Sequence, residues 1–164
     1  MSSTSGVYPR HDDLYAKVAV AKLLDDFHQR AADSDFKGYF DCFAPEGRFL
    51  GTDATENWTV QEFKKYAAPA FRAGKGWKYT PIKESRVLNL LADASLVCFD
   101  EQLESQEFGA ARGTGICRRV SDDSSEEKWW IVQYHLSFPV PNSIAVKITD
   151  LMKHLMAKEQ KHSK

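Results

Sequence analysis

The chain has 164 residues, 43% of them hydrophobic and 12% aromatic, with 22 basic side chains against 23 acidic. That length suits one domain with its own core, and the near-zero net charge offers no global field to gather nucleic acid or anionic lipid. No apolar run approaches the ~20 residues that cross a bilayer, so neither a membrane nor a nucleic acid is expected as a partner.

Met1 to Gly6 is small and polar, with no basic or apolar leader segment, and a secretion signal is not expected. Cys42, Cys98 and Cys117 are odd in number and scattered through apolar stretches, which favours free thiols in a reducing cytoplasm over a disulfide framework. Neither C-x-x-C nor H-x-x-x-H spacing occurs, so no metal and no cofactor are expected.

Residues 1–11 read as a flexible terminus. From Asp12 to Ala32 the apolar residues Leu14, Val18, Ala21, Leu24, Phe27 (or His28) and Ala31 recur every three or four positions, the period of an amphipathic helix. Asp33-Ser34 then signals a second cap. Phe36, Tyr39, Phe40 and Phe43 follow as an aromatic stripe on a short helix ending at Pro45-Glu46-Gly47. Such stripes are usually core, but Tyr39 carries a polar tip that can reach a cavity. Arg48 to Asp53 reads as a brief strand breaking into a turn, and Ala54 to Trp58 as loop. Thr59-Val60-Gln61-Glu62 is a capping box opening a helix that Pro69 should kink and Gly74 and Gly76 should end.

Beyond Trp77 the period falls to two. Trp77 to Leu90 and Ala94 to Glu104 form one hairpin, turning near Leu91-Ala92-Asp93; Phe108 to Val120 and Lys128 to Phe138 form another, joined by the polar loop Ser121 to Glu127. Asn142 caps a last helix with the stripe Ile144, Ile148, Leu151 and Leu155, an extension over 142–160 that leaves 161–164 to fray. The whole is α+β: three helices, then a curved, mostly antiparallel sheet of five to six strands, then a C-terminal helix.

The layout resembles the nuclear transport factor 2-like superfamily, and within it the SnoaL-like branch. The residues that carry the resemblance are Asp41-Cys42-Phe43-Ala44-Pro45-Glu46-Gly47 followed by Phe49 to Asp53, then Glu56 and Trp58. Cys98-Phe99-Asp100-Glu101, Arg112-Gly113-Thr114-Gly115 and Trp129 to Pro141 complete it. The resemblance covers residues 12–141, read as the single domain. It implies a cone-shaped fold whose helices close the concave face of the sheet around a cavity. Members of this superfamily do many different things on one scaffold. The acid-plus-tyrosine set of ketosteroid isomerases and the paired histidines of scytalone dehydratases are not reproduced as motifs.

In the strand 128–138 the even residues Trp130, Val132, Tyr134, Leu136 and Phe138 are all large, while the odd ones run from Trp129 and Ile131 to Gln133 and His135. Large rings pack well over small residues across a ladder. Pairing them with Gly113 and Gly115 sets Arg112 and Thr114 beside His135 and Gln133, and that polar face is expected to line the cavity. The even face is then expected to pack on a second copy as a homodimer interface, with the last helix as an alternative cover.

The expected catalytic residues are Asp53, His135 and Glu101, and the expected ligand-binding residues are Tyr39, Phe40, Trp58, Arg112, Thr114 and Gln133. Each has a plainer role open beside it: a turn residue for Asp53, a core histidine for His135, a salt bridge to Arg112 for Glu101, a surface hydrophobe for Trp58. The expected occupant is a small, largely apolar or aromatic molecule. Acid–base chemistry of an isomerase, cyclase or dehydratase type stands beside a non-catalytic carrier or sensor, or a dimeric partner domain.

Overall fold

The computed structural model describes residues 11–91, 95–120 and 127–162, with side chains described from 13 to 158 within them. Residues 1–10 of the expected flexible start, the tip of the first hairpin at 92–94, most of the polar loop and the last two residues lie outside the described residues. His11 already belongs to the first helix.

Helix α1 spans His11–Ala32, and its buried stripe is Ala16, Val20, Leu24, Phe27, His28 and Ala31. Helix α2 (Phe36–Asp41) is capped by Asp35, whose side chain accepts from the backbone N–H of Gly38; the cap thus falls just after the Asp33-Ser34 signal. Strand β1 begins earlier than expected and runs Phe43–Leu50, so Pro45 and Gly47 sit inside a strand rather than ending a helix. Pro45 is tolerated because it sits by a break in register, where the ladder passes from Phe43↔Ile131 to Arg48↔Gln133. A short β2 (Asn57–Thr59) pairs with β1 where loop was expected. Helix α3 (Val60–Arg72) opens on the Thr59/Glu62 capping box and continues through Pro69.

Strands β3 (Thr80–Leu90), β4 (Leu96–Ser105), β5 (Gly109–Val120) and β6 (Lys128–Ser137) complete one six-stranded sheet of order β2-β1-β6-β5-β4-β3. Every neighbouring pair is antiparallel except β1 with β6. The three helices lie on one face of the sheet, and the core between them includes Leu24, Phe27, Tyr39, Phe63, Val97, Phe99, Trp129, Ile131 and Tyr134. Helix α4 (Ala145–His162) does not lay its stripe on the sheet: Leu151, Met152, Leu155 and Met156 are each about half exposed. Cys42, Cys98 and Cys117 are free thiols.

Two irregularities in the ladder decide which side chains face the helices. In β6, Ile116 pairs with Gln133 but Cys117 pairs with Ile131, so Val132 is an extra residue without a partner. A one-residue bulge advances the side-chain phase by one and sends every later residue to the other face. Trp129 and Ile131 before it, and Tyr134 and Leu136 after it, therefore share the concave face. The second irregularity lies in β3, between Ile82 and Val87. Ser85 closes that bulge, donating to the Ile82 carbonyl and accepting from Gln102 N–H.

Candidate functional site

The cavity between helices and sheet has a volume of about 170 Å³. Its floor is Phe27 and His28 of α1, Tyr39 of α2, Phe49 of β1, and Tyr134 and Leu136 of β6. Phe63 and Tyr66 of α3 and the rings of Trp58, Trp77 and Tyr79 form the walls; Gly51, Thr52, Glu56, Phe108 and Phe138 close the ring of lining residues. Many of these rings lie nearly parallel: Phe49 on Phe63 (centroids 4.0 Å apart), Trp58 on Tyr66 (4.4 Å), Phe63 on Trp77 (5.6 Å). The bulge at Val132 brings Tyr134 and Leu136 into this cavity. The phase of the alternating pattern, read without it, put them outside.

Behind the floor is a buried polar network centred on Glu101, which is 0% exposed. Glu101 sits at the inward phase of β4 among Val97, Phe99 and Leu103, so its charge needs partners inside the protein. Its Oε1 is 2.6 Å from Nε2 of His28 and accepts from the Tyr134 hydroxyl at 3.0 Å. Its Oε2 accepts from Nε of Arg86 at 2.9 Å, with Nη2 at 2.8 Å. The β3 bulge is what delivers Arg86, whose Nη1 also donates to the Ala21 carbonyl and to Asp25 Oδ1 on α1. Burial pushes the Glu101 carboxyl upward, but its hydrogen bonds to His28 and Arg86 and the Arg86 charge outweigh it, so the group is held below the usual glutamate range. The Tyr134 phenol is pushed well up, first by burial and then by the Glu101 charge, and keeps its proton as donor. Burial likewise raises Tyr39 well above the ordinary value. With Glu101 ionised, His28 Nε2 donates, and Nδ1 is the ring nitrogen without a hydrogen bond among the described residues.

Close approach matters at Gly113. A methyl group there would run into the Tyr134 hydroxyl and crowd Glu101 Oε1, so the glycine is what lets the phenol reach the carboxylate.

The candidate residues read from the sequence divide accordingly. Glu101, Tyr39 and Trp58 belong to the cavity or its buried network, while Phe40 packs behind it in the core. Glu101 pairs with Arg86 rather than Arg112; the latter lies half-exposed, its Nε 3.9 Å from Asp100. Asp53 is exposed in the turn, accepts from Thr55 N–H and Thr55 Oγ1, and these bonds lower its pKa instead of raising it. His135, opposite Thr114 and Leu50, alternates with the inward Tyr134 and Leu136 and so faces away from the cavity, as do Gln133, Thr114 and Arg112. Of the residues expected over the glycine face, Tyr134 does lie opposite Gly115, but Trp130 lies opposite Arg118 and Val132 is unpaired. Leu136 stands opposite Gly113, and the face is concave rather than convex. Of the five residues expected at a dimer interface, Tyr134, Leu136 and Phe138 line the cavity. Trp130 remains outside, half-buried under Lys128, and Val132 is the bulge residue.

Among the described residues there is no group of three or more His, Cys, Asp or Glu side chains disposed to hold a metal ion. No helix among the described residues is long and apolar enough to cross a membrane.

The comparisons with known proteins agree with this architecture. The profile of the SnoaL-like domain matches residues 20–141, most of the chain and all six strands. The chain belongs to the SnoaL-like domain family. Among solved structures, a cystatin-like-fold domain from Nostoc punctiforme superposes with a TM-score of 0.62 at 11% identity, over 90% of this chain and 98% of that one. A Shewanella frigidimarina protein proposed to be a ketosteroid isomerase gives 0.58 at 14% identity, over 74% and 97%. One from Novosphingobium aromaticivorans, proposed to be a scytalone dehydratase, gives 0.54 at 10%, over 79% and 92%. At these identities the likeness to the solved structures concerns the fold. No curated protein sequence matches the chain.

Proposed function

We propose that this SnoaL-like chain takes a small, largely apolar ring compound into the cone and moves a proton on it, with His28 as the proton carrier. The observation that supports this reading is the 2.6 Å bond from His28 to a fully buried Glu101 at the floor of a cavity otherwise walled mainly by rings. In that arrangement Nδ1 accepts a proton from the ligand, and the imidazolium so formed is stabilised by the carboxylate behind it. Glu101 and Arg86 act as positioning residues, holding the imidazole in one tautomer and orientation. The Tyr39 and Tyr79 phenols, both kept protonated by burial, supply donors for oxygen that gains charge in the reaction. A cavity of about 170 Å³ is little larger than one that holds benzene, which limits the ligand to one or two rings. The three free thiols fit a reducing, cytoplasmic setting.

The test uses 2-tetralone in deuterium oxide, following exchange of its α-protons by NMR. The native chain is expected to accelerate exchange over buffer. His28→Gln is expected to lose about 10²-fold or more of that acceleration while still binding the ketone. Binding without any acceleration by the native chain would instead support a carrier or sensor, a reading favoured by how completely Glu101 is satisfied within the protein.

A further inference from the structure

The geometry points to a cavity that selects ligands by charge, taking a ring compound that bears an amine or ammonium group over its neutral analogue, and excluding the carboxylate. This rests on the cavity being the ligand site and goes on to name the class of ligand.

The lining decides the sign. Among its described residues there is no lysine or arginine, and its one carboxylate is Glu56. The Glu56 side chain is held over Gly51, where a methyl group would collide with it, and its Oε2 accepts from Asp53 N–H at 3.2 Å. That carboxylate is half-buried beside Trp58. A second acid, Glu107, is exposed next to the lining ring of Phe108, and its charge is felt by Tyr79, whose phenol is raised by burial and then by Glu107. At the floor, the Arg86 charge is spent on Glu101 and Asp25, and His28 is bonded to Glu101. Within the lining itself the unbalanced side-chain charge is therefore negative; Lys78, between the lining rings Trp77 and Tyr79, is exposed and is not part of the lining.

Ring faces add to this. Trp58, Tyr66 and Trp77 line the same cavity as that carboxylate, with Trp58 on Tyr66 at 4.4 Å and Tyr66 and Trp77 within 6° of parallel at 6.4 Å. Such faces attract a cation placed over them, and more so where water is thinned. An ammonium at Glu56 would leave an attached ring to lie among Phe49, Phe63 and Tyr134. A carboxylate in the same pose would meet Glu56 and find no cationic side chain in the wall.

The experiment measures dissociation constants at neutral pH for three probes of like size: 2-phenylethylamine, 2-phenylethanol and 3-phenylpropionate. The amine is expected to bind about tenfold tighter than the alcohol, and the carboxylate weakest of the three. In Glu56→Gln the amine-to-alcohol ratio should fall to near one, with Glu107→Gln lowering it by a smaller factor; far-UV circular dichroism confirms that each variant is folded. Equal affinities for all three, or a native preference that survives both substitutions, would overturn charge selection and leave the cavity as the ligand site. Failure of the alcohol and the amine alike to bind would overturn the ligand site and the charge selection together.

Discussion

Replacing Glu101 with alanine is expected to cost the fold about 3–5 kcal/mol, because it leaves the buried Arg86 cation with only the partly exposed Asp25 as counter-charge. Arg86 is 6% exposed at its side chain and has two of its nitrogens on Glu101 Oε2. The same change removes the acceptor of the Tyr134 hydroxyl and the partner of His28. Replacing both ends of the pair together, Glu101→Leu with Arg86→Met, is expected to cost less than either end removed alone, since no unpaired charge is then left behind. Urea denaturation of the parent, the two single variants and the double variant measures the difference.

The same group predicts a pH dependence. Glu101 has a lower pKa folded than its ordinary value of 4.5, so the unfolded chain binds its proton more readily than the folded one. Its contribution is therefore fully present above about pH 4.5 and is lost as the pH falls through the depressed folded value. Asp25 is lowered in the same direction and adds to the acid-side loss. Native stability should fall steeply below that point, and Glu101→Gln should be less stable at neutral pH but show a shallower acid slope.

Gly115→Ala is expected to be nearly as damaging, at about 3 kcal/mol, and for a different reason. The bulge at Val132 brings the Gln133 carbonyl over Gly115, and a methyl group there would collide with that backbone oxygen and press on the Phe99 ring at 2.8 Å. A flexible side chain could move aside, but a carbonyl fixed in the ladder cannot without opening the β5–β6 pairing. Thermal denaturation shows the loss, and a variant as stable as the parent would mean that the bulge is not where the register places it.

The element order was legible because hydrophobic period, the Thr59 capping box and glycine positions are local signals. The orientation of β6 was not. Its even residues are uniformly large, so a period-two reading divides them cleanly from His135 and Gln133; one unpaired residue at Val132 reverses that division from Tyr134 onward. Nothing local in Ile131-Val132-Gln133 announces a bulge, since all three are ordinary strand residues. His28 was equally hard to see, lying in a helical stripe where Phe27 alone accounts for the packing. Arg86 did leave a trace. Glu101 shares an inward phase with Val97, Phe99 and Leu103, and a buried acid requires a buried base; the β3 bulge that delivers it hides which basic residue that is. Asp53 was favoured from its place after the first strand, but the chain continues round the turn and brings Glu56, three residues later, to the cavity instead.

The proposed ligand enters the concave face, against His28 and Tyr134, and not the face carrying His135 and Arg112. Titrating the isotopically labelled chain with 2-phenylethanol and recording amide and aromatic NMR shifts tests it directly. Shifts are expected to concentrate at Phe27, His28, Trp58, Phe63, Tyr134 and Leu136, with Arg112, Thr114, Gln133 and His135 little moved. Shifts centred on Arg112, Gln133 and His135, with the concave residues unmoved, would contradict it.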